Sequence, residues 1–448
     1  MYKPFAFARE RLLRVSPLHL LLAAACLHLL TALAIYTAGR LSILPHPFTA
    51  DGFGQFAFDS LLYQQEAKTL VGVLSNEGVA AWLRVPFQSH VHLYSLSCAI
   101  FSPLFGYSVL AVEPLNLLYY LASLTLIYRI GKEAFGKVTG LTAAIVIALW
   151  PSFLLHTTQF LKDPLFIVCM LVLVFMCIVW LTRICSWKSA LLTVTLSAAS
   201  IAVLARIKSN MWESVVVLIA VGLVLLLARQ VRARRVFAQN MLSAALIMTF
   251  TLVMPVKATN VHTRDQRAIT STEQVGQTSF VWTSLGVRIA ERRKVFSVYR
   301  GSQESAIDGA VFFNNTGDIA RYVPRATLIG LFAPFPQMWL ASDAATGRAA
   351  RFLSGAETLL IYFVALAAGI CAYVERRNFS TWFLLLVALI NMVALGLVVT
   401  NIGALFRLRY VFWMLIIIMG VRGAVILAHK FCEGRVMEHS TKNPKLSA

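Results

Sequence analysis

This chain is short of charge. Only 13% of its 448 residues are Asp, Glu, Lys or Arg, about half of the ~25% that soluble domains carry. Together with 58% hydrophobic residues and a mean hydropathy of +0.73, that shortage excludes a water-soluble fold, a disordered chain, a collagen and a coiled coil. Acids are the rarer sign: twenty Asp+Glu stand against forty Lys+Arg, a net charge of +20. No CxxC or HExxH spacing occurs, so zinc chemistry has no support. No phosphate-cradling glycine loop occurs either, which leaves nucleotide chemistry without a seat. Of seven cysteines only Cys98 falls in an outward loop under the topology below, so no disulfide is expected there.

What the chain does have is long apolar runs. A bilayer crossing takes about 20 residues. Runs of that kind lie near 18–37, 114–130, 138–156, 164–182, 189–205, 213–228, 240–256, 357–374, 380–400 and 409–428. Backbone inside a bilayer must satisfy its own hydrogen bonds, so each is expected to be a helix. Two further apolar stretches, about 91–110 and 326–341, need a parity test. Short basic segments supply it: Lys3/Arg9/Arg11/Arg14, Arg129/Lys132/Lys137, Arg183/Lys188, Arg229/Arg232/Arg234/Arg235, Arg376/Arg377 and Arg422/Lys430/Arg435. With ten spans and a cytoplasmic N-terminus, all of these fall inside, as positive-inside bias requires. Counting either extra stretch as a span breaks that pattern. Both are therefore expected to be interfacial or re-entrant on the outer face, in keeping with Pro103, Pro334 and Pro336. The first span, about 20 apolar residues, exceeds the 7–15 of a signal-peptide core and is expected to be retained.

The expected fold class is thus an all-α integral membrane protein with about ten transmembrane helices. It has two large extracytoplasmic loops, 38–113 and 257–356, carrying interfacial helices. Both termini are placed in the cytoplasm and the protein in the plasma membrane. Two modules are expected, 1–210 with the first outer loop and 211–448 with the second.

The candidate chemistry sits at the outer rim. In the first loop Asp59, Tyr63 and Ala67 follow helical spacing, which sets a carboxylate at the water–lipid boundary, well placed to take a proton from a hydroxyl. Asp51 competes for that role, and either residue also reads as a helix cap. Between two spans, Lys162 and Asp163 are the only charges of their loop, followed by Pro164. Charge there is costly unless used or paired, the plainer reading being an N-cap beside a snorkelling lysine. Arg206 and Lys208 end one span outside, and Arg407 and Arg409 precede the last. Cations held against the outer leaflet suit a lipid phosphate, with ordinary phospholipid contact as the simpler alternative. The second loop carries twelve Lys/Arg, among them Lys257, Arg264, Arg267, Arg288, Arg292 and Arg293, against seven acids. Such an excess points to an acidic partner, lipid or glycan, and nucleic acid is not expected on that side. His90, His92 and His156 border these segments and read as boundary residues.

At these residues the chain resembles the membrane glycosyltransferases of the GT-C fold that use polyprenyl-phosphate-linked sugars. That superfamily includes the protein O-mannosyltransferases, the bacterial aminoarabinose transferase for lipid A and the RgtA/B/C/D-like group. Asp59 with Tyr63 and Ala67 is similar to the family's first-loop helix. Tyr128-Arg129 through Phe135-Gly136 is similar to its second-span turn, and Trp150-Pro151 through Lys162-Asp163 to its second outer loop. The likeness covers roughly residues 15–210, with Asn401–Tyr410 as an echo. It implies that 1–210 is the catalytic module, that Asp59 is the base, and that Asp163 with Lys162 lies near a carrier phosphate or a metal. A divalent cation is thus an open possibility with Asp163 as its candidate ligand. The implied reaction is sugar transfer, inverting, from a polyprenyl phosphate to a glycan, lipid or protein acceptor. One departure stands out: Ser60 follows Asp59 where the family often has Glu. Two other classes stay open. A glycan polymerase or ligase would depend on loop arginines and His262, and a lipid or glycan transporter would need cations along a path between spans.

Overall fold

The computed structural model describes residues 14–43, 48–54, 58–255, 285–299, 306–339 and 347–442. The side chains of 58, 59, 298, 299, 347–350 and 431–442 lie outside that description. Among the described residues the chain is helical throughout, with two isolated bridges, Phe48 to Gly54 and Ala306 to Asn401, in place of any sheet.

The first half runs α1 (Pro17–Arg40), α2 (Phe58–Glu77), α3 (Val79–Arg84), α4 (Ser89–Phe105), α5 (Val109–Phe135), α6 (Lys137–Ala148), α7 (Pro151–Thr157), α8 (Asp163–Thr182) and α9 (Trp187–Ile207). The second runs α10 (Trp212–Ala233), α11 (Ala238–Val253), α12 (Leu285–Tyr299), α13 (Thr316–Phe332), α14 (Gly347–Val374), α15 (Phe379–Val398), α16 (Ile402–Leu408) and α17 (Tyr410–Lys442). Among the described residues eight helices are long and apolar enough to cross a membrane: α1, α5, α8, α9, α10, α14, α15 and α17. The pair α6 and α7 makes a ninth if counted as one, and α11 is apolar but only 16 residues long. This is the architecture of a helical integral membrane protein, and its apolar helices lie where the ten runs were read. The two stretches set aside on charge parity hold α4 and the end of α13, each 17 residues long.

The run at 138–156 differs from expectation. It is broken by a 68° bend between α6 and α7. Trp150, held extended at ψ 111°, precedes Pro151 at the first turn of α7. Proline disfavours helical backbone in the residue before it, so the chain must leave the α6 axis there. The buried carboxylate of Glu357 on α14 then accepts from the Ser152 amide at 2.6 Å, meeting an amide that no turn of α7 can satisfy.

One hydrophobic core runs from Ala24 to Val421 and crosses the 210/211 position, with α8 and α17 at its centre. A second, smaller cluster joins Tyr63, Ala67 and Leu70 of α2 to Val91, Tyr94 and Cys98 of α4, so the first outer loop has a core of its own. Lipid offers no hydrophobic drive between helices, and small residues let them approach closely instead. A Cβ on Gly330 of α13 would fall 2.0 Å from the Met392 carbonyl oxygen of α15. One on Gly396 of α15 would fall 2.0 Å from that of Ala326. Gly396→Ala is therefore expected to cost about 1–3 kcal/mol by overpacking and to lower the apparent melting midpoint in detergent. Gly72→Ala on α2, where nothing lies within 4 Å, is the control expected to leave the midpoint unchanged or raise it. Equal midpoints for the two variants would contradict this packing.

Candidate functional site

The site is built on the segment between α7 and α8. Thr158 and Gln159 are buried polar residues in a loop, so their groups need partners from elsewhere. Those partners come from three directions. The Gln159 side-chain carbonyl accepts from the Gly54 amide at 2.6 Å, and the Gln159 backbone carbonyl accepts from Asn116 of α5 at 3.3 Å. The Tyr94 hydroxyl of α4 donates to Asn116 Oδ1 at 2.7 Å and lies 3.0 Å from the Leu161 carbonyl. On the far side, the Thr49–Gly54 turn closes through Gly52, whose φ of +80° disfavours a side chain and where a Cβ would fall 3.1 Å from Tyr36 Cα of α1. The loop is thereby fixed against α1, α4 and α5.

Asp163 begins α8, where the helix dipole favours an acid, and it is buried. Two cations from remote parts of the chain meet it. Lys208, buried at the break between α9 and α10, is hydrogen-bonded to Asp163 Oδ1, and its ammonium lies 4.3 Å from the Phe166 ring centroid. Arg407 of α16 places Nη1 3.6 Å from Asp163 Oδ2. Lys162 stands next in sequence, its ammonium 5.5 Å from the centroid of the Tyr63 ring on α2. The other edge contact of Tyr63 is His90 of α4, with ring centroids 4.4 Å apart and planes nearly perpendicular. His90 is 1% exposed. Burial first, then the positive charge of Lys162, pushes its imidazole well below the ordinary histidine range, with Asp163 opposing. His90 is therefore neutral at physiological pH.

Four of the residues singled out in sequence thus converge: Lys162, Asp163, Lys208 and Arg407. Asp59 starts the α2 helix four residues before Tyr63, and its side chain is outside the described residues. Asp51 is exposed in the Thr49–Gly54 turn, and its backbone carbonyl accepts from the Val109 amide. Arg206 is exposed two residues before Lys208. Arg409 is fully buried and directed away from Asp163. It donates to the carbonyls of Gly330 and Ala333 and lies 3.9 Å from the Trp413 ring centroid, pinning the end of α13 to the start of α17. Among the described residues no three of His, Cys, Asp and Glu converge in a way that would hold a metal ion. Both Asp163 oxygens face cations, a donor set that does not fit a divalent cation.

Of the second loop, Lys257, Arg264, Arg267 and His262 lie outside the described residues. Arg288 and Arg292 of α12 both pair with Glu213 of α10. Arg293 is buried and donates to the carbonyls of Val311, Leu397 and Asp308, so it ties the loop to α15. A further buried network lies among the apolar helices. His28 of α1 sits 2.6 Å from Glu113 of α5 and 3.1 Å from the Thr157 hydroxyl of α7. Charge at span edges gave no sign of it, nor of Tyr94, Asn116 and Gln159, whose bonds join residues 22 to 105 positions apart.

Removing one partner of a buried pair strands the other, at about 3–5 kcal/mol. Asp163→Asn is expected to lower the apparent melting midpoint, and Asp163→Asn/Lys208→Met to recover most of that loss. A single variant as stable as the parent would show that the three charges are not held together. The chain matches no protein-family model, no curated protein and no solved structure.

Proposed function

We propose that this protein is a membrane glycosyltransferase of the GT-C type, which moves a sugar from a polyprenyl-phosphate carrier to an acceptor hydroxyl on the extracytoplasmic face. The observation that carries the reading is the convergence of Lys162, Lys208 and Arg407 around a single carboxylate, Asp163, beside the Tyr63 face of the first-loop helix. Among the described residues, three cations gather at one carboxylate in a mostly buried setting.

That balance suits a leaving phosphate better than a bound donor. In the donor, the phosphate is a diester with one negative charge. After transfer it is a monoester with about −1.5 to −2 at neutral pH. A cation-rich site gains attraction as the bond to the sugar breaks, which is the differential binding that accelerates a reaction. In the step itself, Asp59 takes the proton of the acceptor hydroxyl while the acceptor oxygen attacks the anomeric carbon. The bond from that carbon to the phosphate oxygen breaks, and its electron pair stays on the phosphate. A single base opposite the leaving group gives inversion at that carbon. A lipid-borne donor also fits a chain with no nucleotide-binding loop.

Asp59→Asn is expected to reduce transfer about 10²–10⁴-fold, the usual contribution of a general base, with expression and carrier binding kept. Mass spectrometry of lipid extracts from cells carrying this variant should show a sugar–polyprenyl phosphate accumulating. Full activity in Asp59→Asn with loss in Asp51→Asn would move the base to Asp51. Loss only on replacing second-loop arginines would favour a polymerase or ligase.

A further inference from the structure

Both ring nitrogens of His90 are buried and have no hydrogen-bond partner among the described residues. Leaving such groups unmade is costly, and the cost needs an explanation in a well-packed protein. The neighbouring histidine behaves differently. His92, two residues on, places one ring nitrogen 3.1 Å from the Trp82 carbonyl and the other 3.3 Å from that of Gln88. The fold therefore brings carbonyl oxygens within reach of one histidine of α4 and, among the described residues, none to the ring nitrogens of the other. His90 is the one whose surroundings are the site: it lies on the edge of Tyr63, under the electrostatic influence of Lys162, Asp163, Lys208 and His92.

A neutral imidazole carries one N–H donor and one acceptor. The groups gathered around it favour an anion that accepts hydrogen bonds. Lysine and arginine supply charge to such an anion, and a neutral histidine adds a directed donor without adding repulsion among the cations. We infer that His90 donates a hydrogen bond to a non-bridging oxygen of the carrier lipid's phosphate, alongside Lys208 and Arg407. This rests on the glycosyltransferase reading and extends it by a residue whose role is contact with the phosphate. A histidine that serves the ligand instead of the fold leaves a distinctive trace: replacing it with an apolar ring relieves the unliganded protein and weakens only the ligand-bound one.

The test uses the full-length protein in detergent with farnesyl monophosphate as probe. Farnesol and inorganic phosphate serve as the separate arms, and binding and melting midpoint are both read. Wild type is expected to be stabilised by farnesyl monophosphate and by neither control alone. His90→Phe is expected to melt at or above the wild-type midpoint without ligand. Its Kd for farnesyl monophosphate should rise about 10- to 100-fold, the loss of one hydrogen bond to a charged group. His90→Gln, which keeps a donor, is expected to recover most of that affinity. If His90→Phe binds the probe as wild type does, or melts well below it without ligand, the histidine has a structural role and the inference fails while the phosphate site stands. A wild-type protein indifferent to farnesyl monophosphate would overturn the glycosyltransferase reading itself. Equal, His90-dependent stabilisation by inorganic phosphate alone would make this a site for free phosphate and overturn the lipid assignment.

Discussion

Burying three charges in a greasy bundle constrains the whole molecule. Asp163 opens α8, Lys208 follows α9, and Arg407 belongs to α16, so the members are separated by 45 residues in one case and by about half the chain in the other. None of the three tolerates a dry environment alone, since an isolated ion loses its hydration without compensation. The start of α8, the break between α9 and α10 and the approach to α17 must therefore arrive together or not at all. Once they do, the segment before Asp163 is locked by Tyr94, Asn116 and Gly54, and Lys162 is set over Tyr63. The first-loop helix α2 inherits its position from that contact and from its packing on α4.

Ion pairs at the other ends of the same helices do different work. Glu133 at the end of α5 pairs with Arg183 just past α8, and Glu375 with Arg422 of α17. With about 1.5 Å of rise per residue, the 20 residues of α8 separate Arg183 from Asp163 by roughly the thickness of a bilayer core. These pairs clasp neighbouring helices and are partly solvent-exposed. The Asp163 group is buried, gathers three cations at one acid among the described residues, and adjoins an unmatched histidine. Structural ion pairing alone does not account for that combination.

Much of this was legible in the sequence. Among the described residues, hydropathy placed the long apolar helices because each must hide from water along its whole length. The bend inside 138–156 was missed, because a hydropathy average passes over Pro151. The acid Asp163 and the cations Lys162, Lys208 and Arg407 stood out as charges in a costly place. That same signal did not separate Arg407 from Arg409. Two residues apart, they differ because one reaches Asp163 and the other meets two carbonyls at the end of α13. Nothing local distinguishes His90 from His92 either; the difference lies in which carbonyls α3 and α4 bring within reach. The Gln159 and Asn116 contacts are products of tertiary packing, with no periodicity to announce them.

The account depends on one geography: the Thr49–Gly54 turn and the break after α9 on the extracytoplasmic side, the end of α10 on the other. Single cysteines replacing exposed Asp51, Arg206 and Arg235 in a cysteine-free background, labelled with a membrane-impermeant thiol reagent, measure this directly. The account predicts labelling at 51 and 206 in intact cells and at 235 only after the membrane is opened. Labelling of 51 and 206 from opposite sides, or of 235 together with them in intact cells, would contradict it.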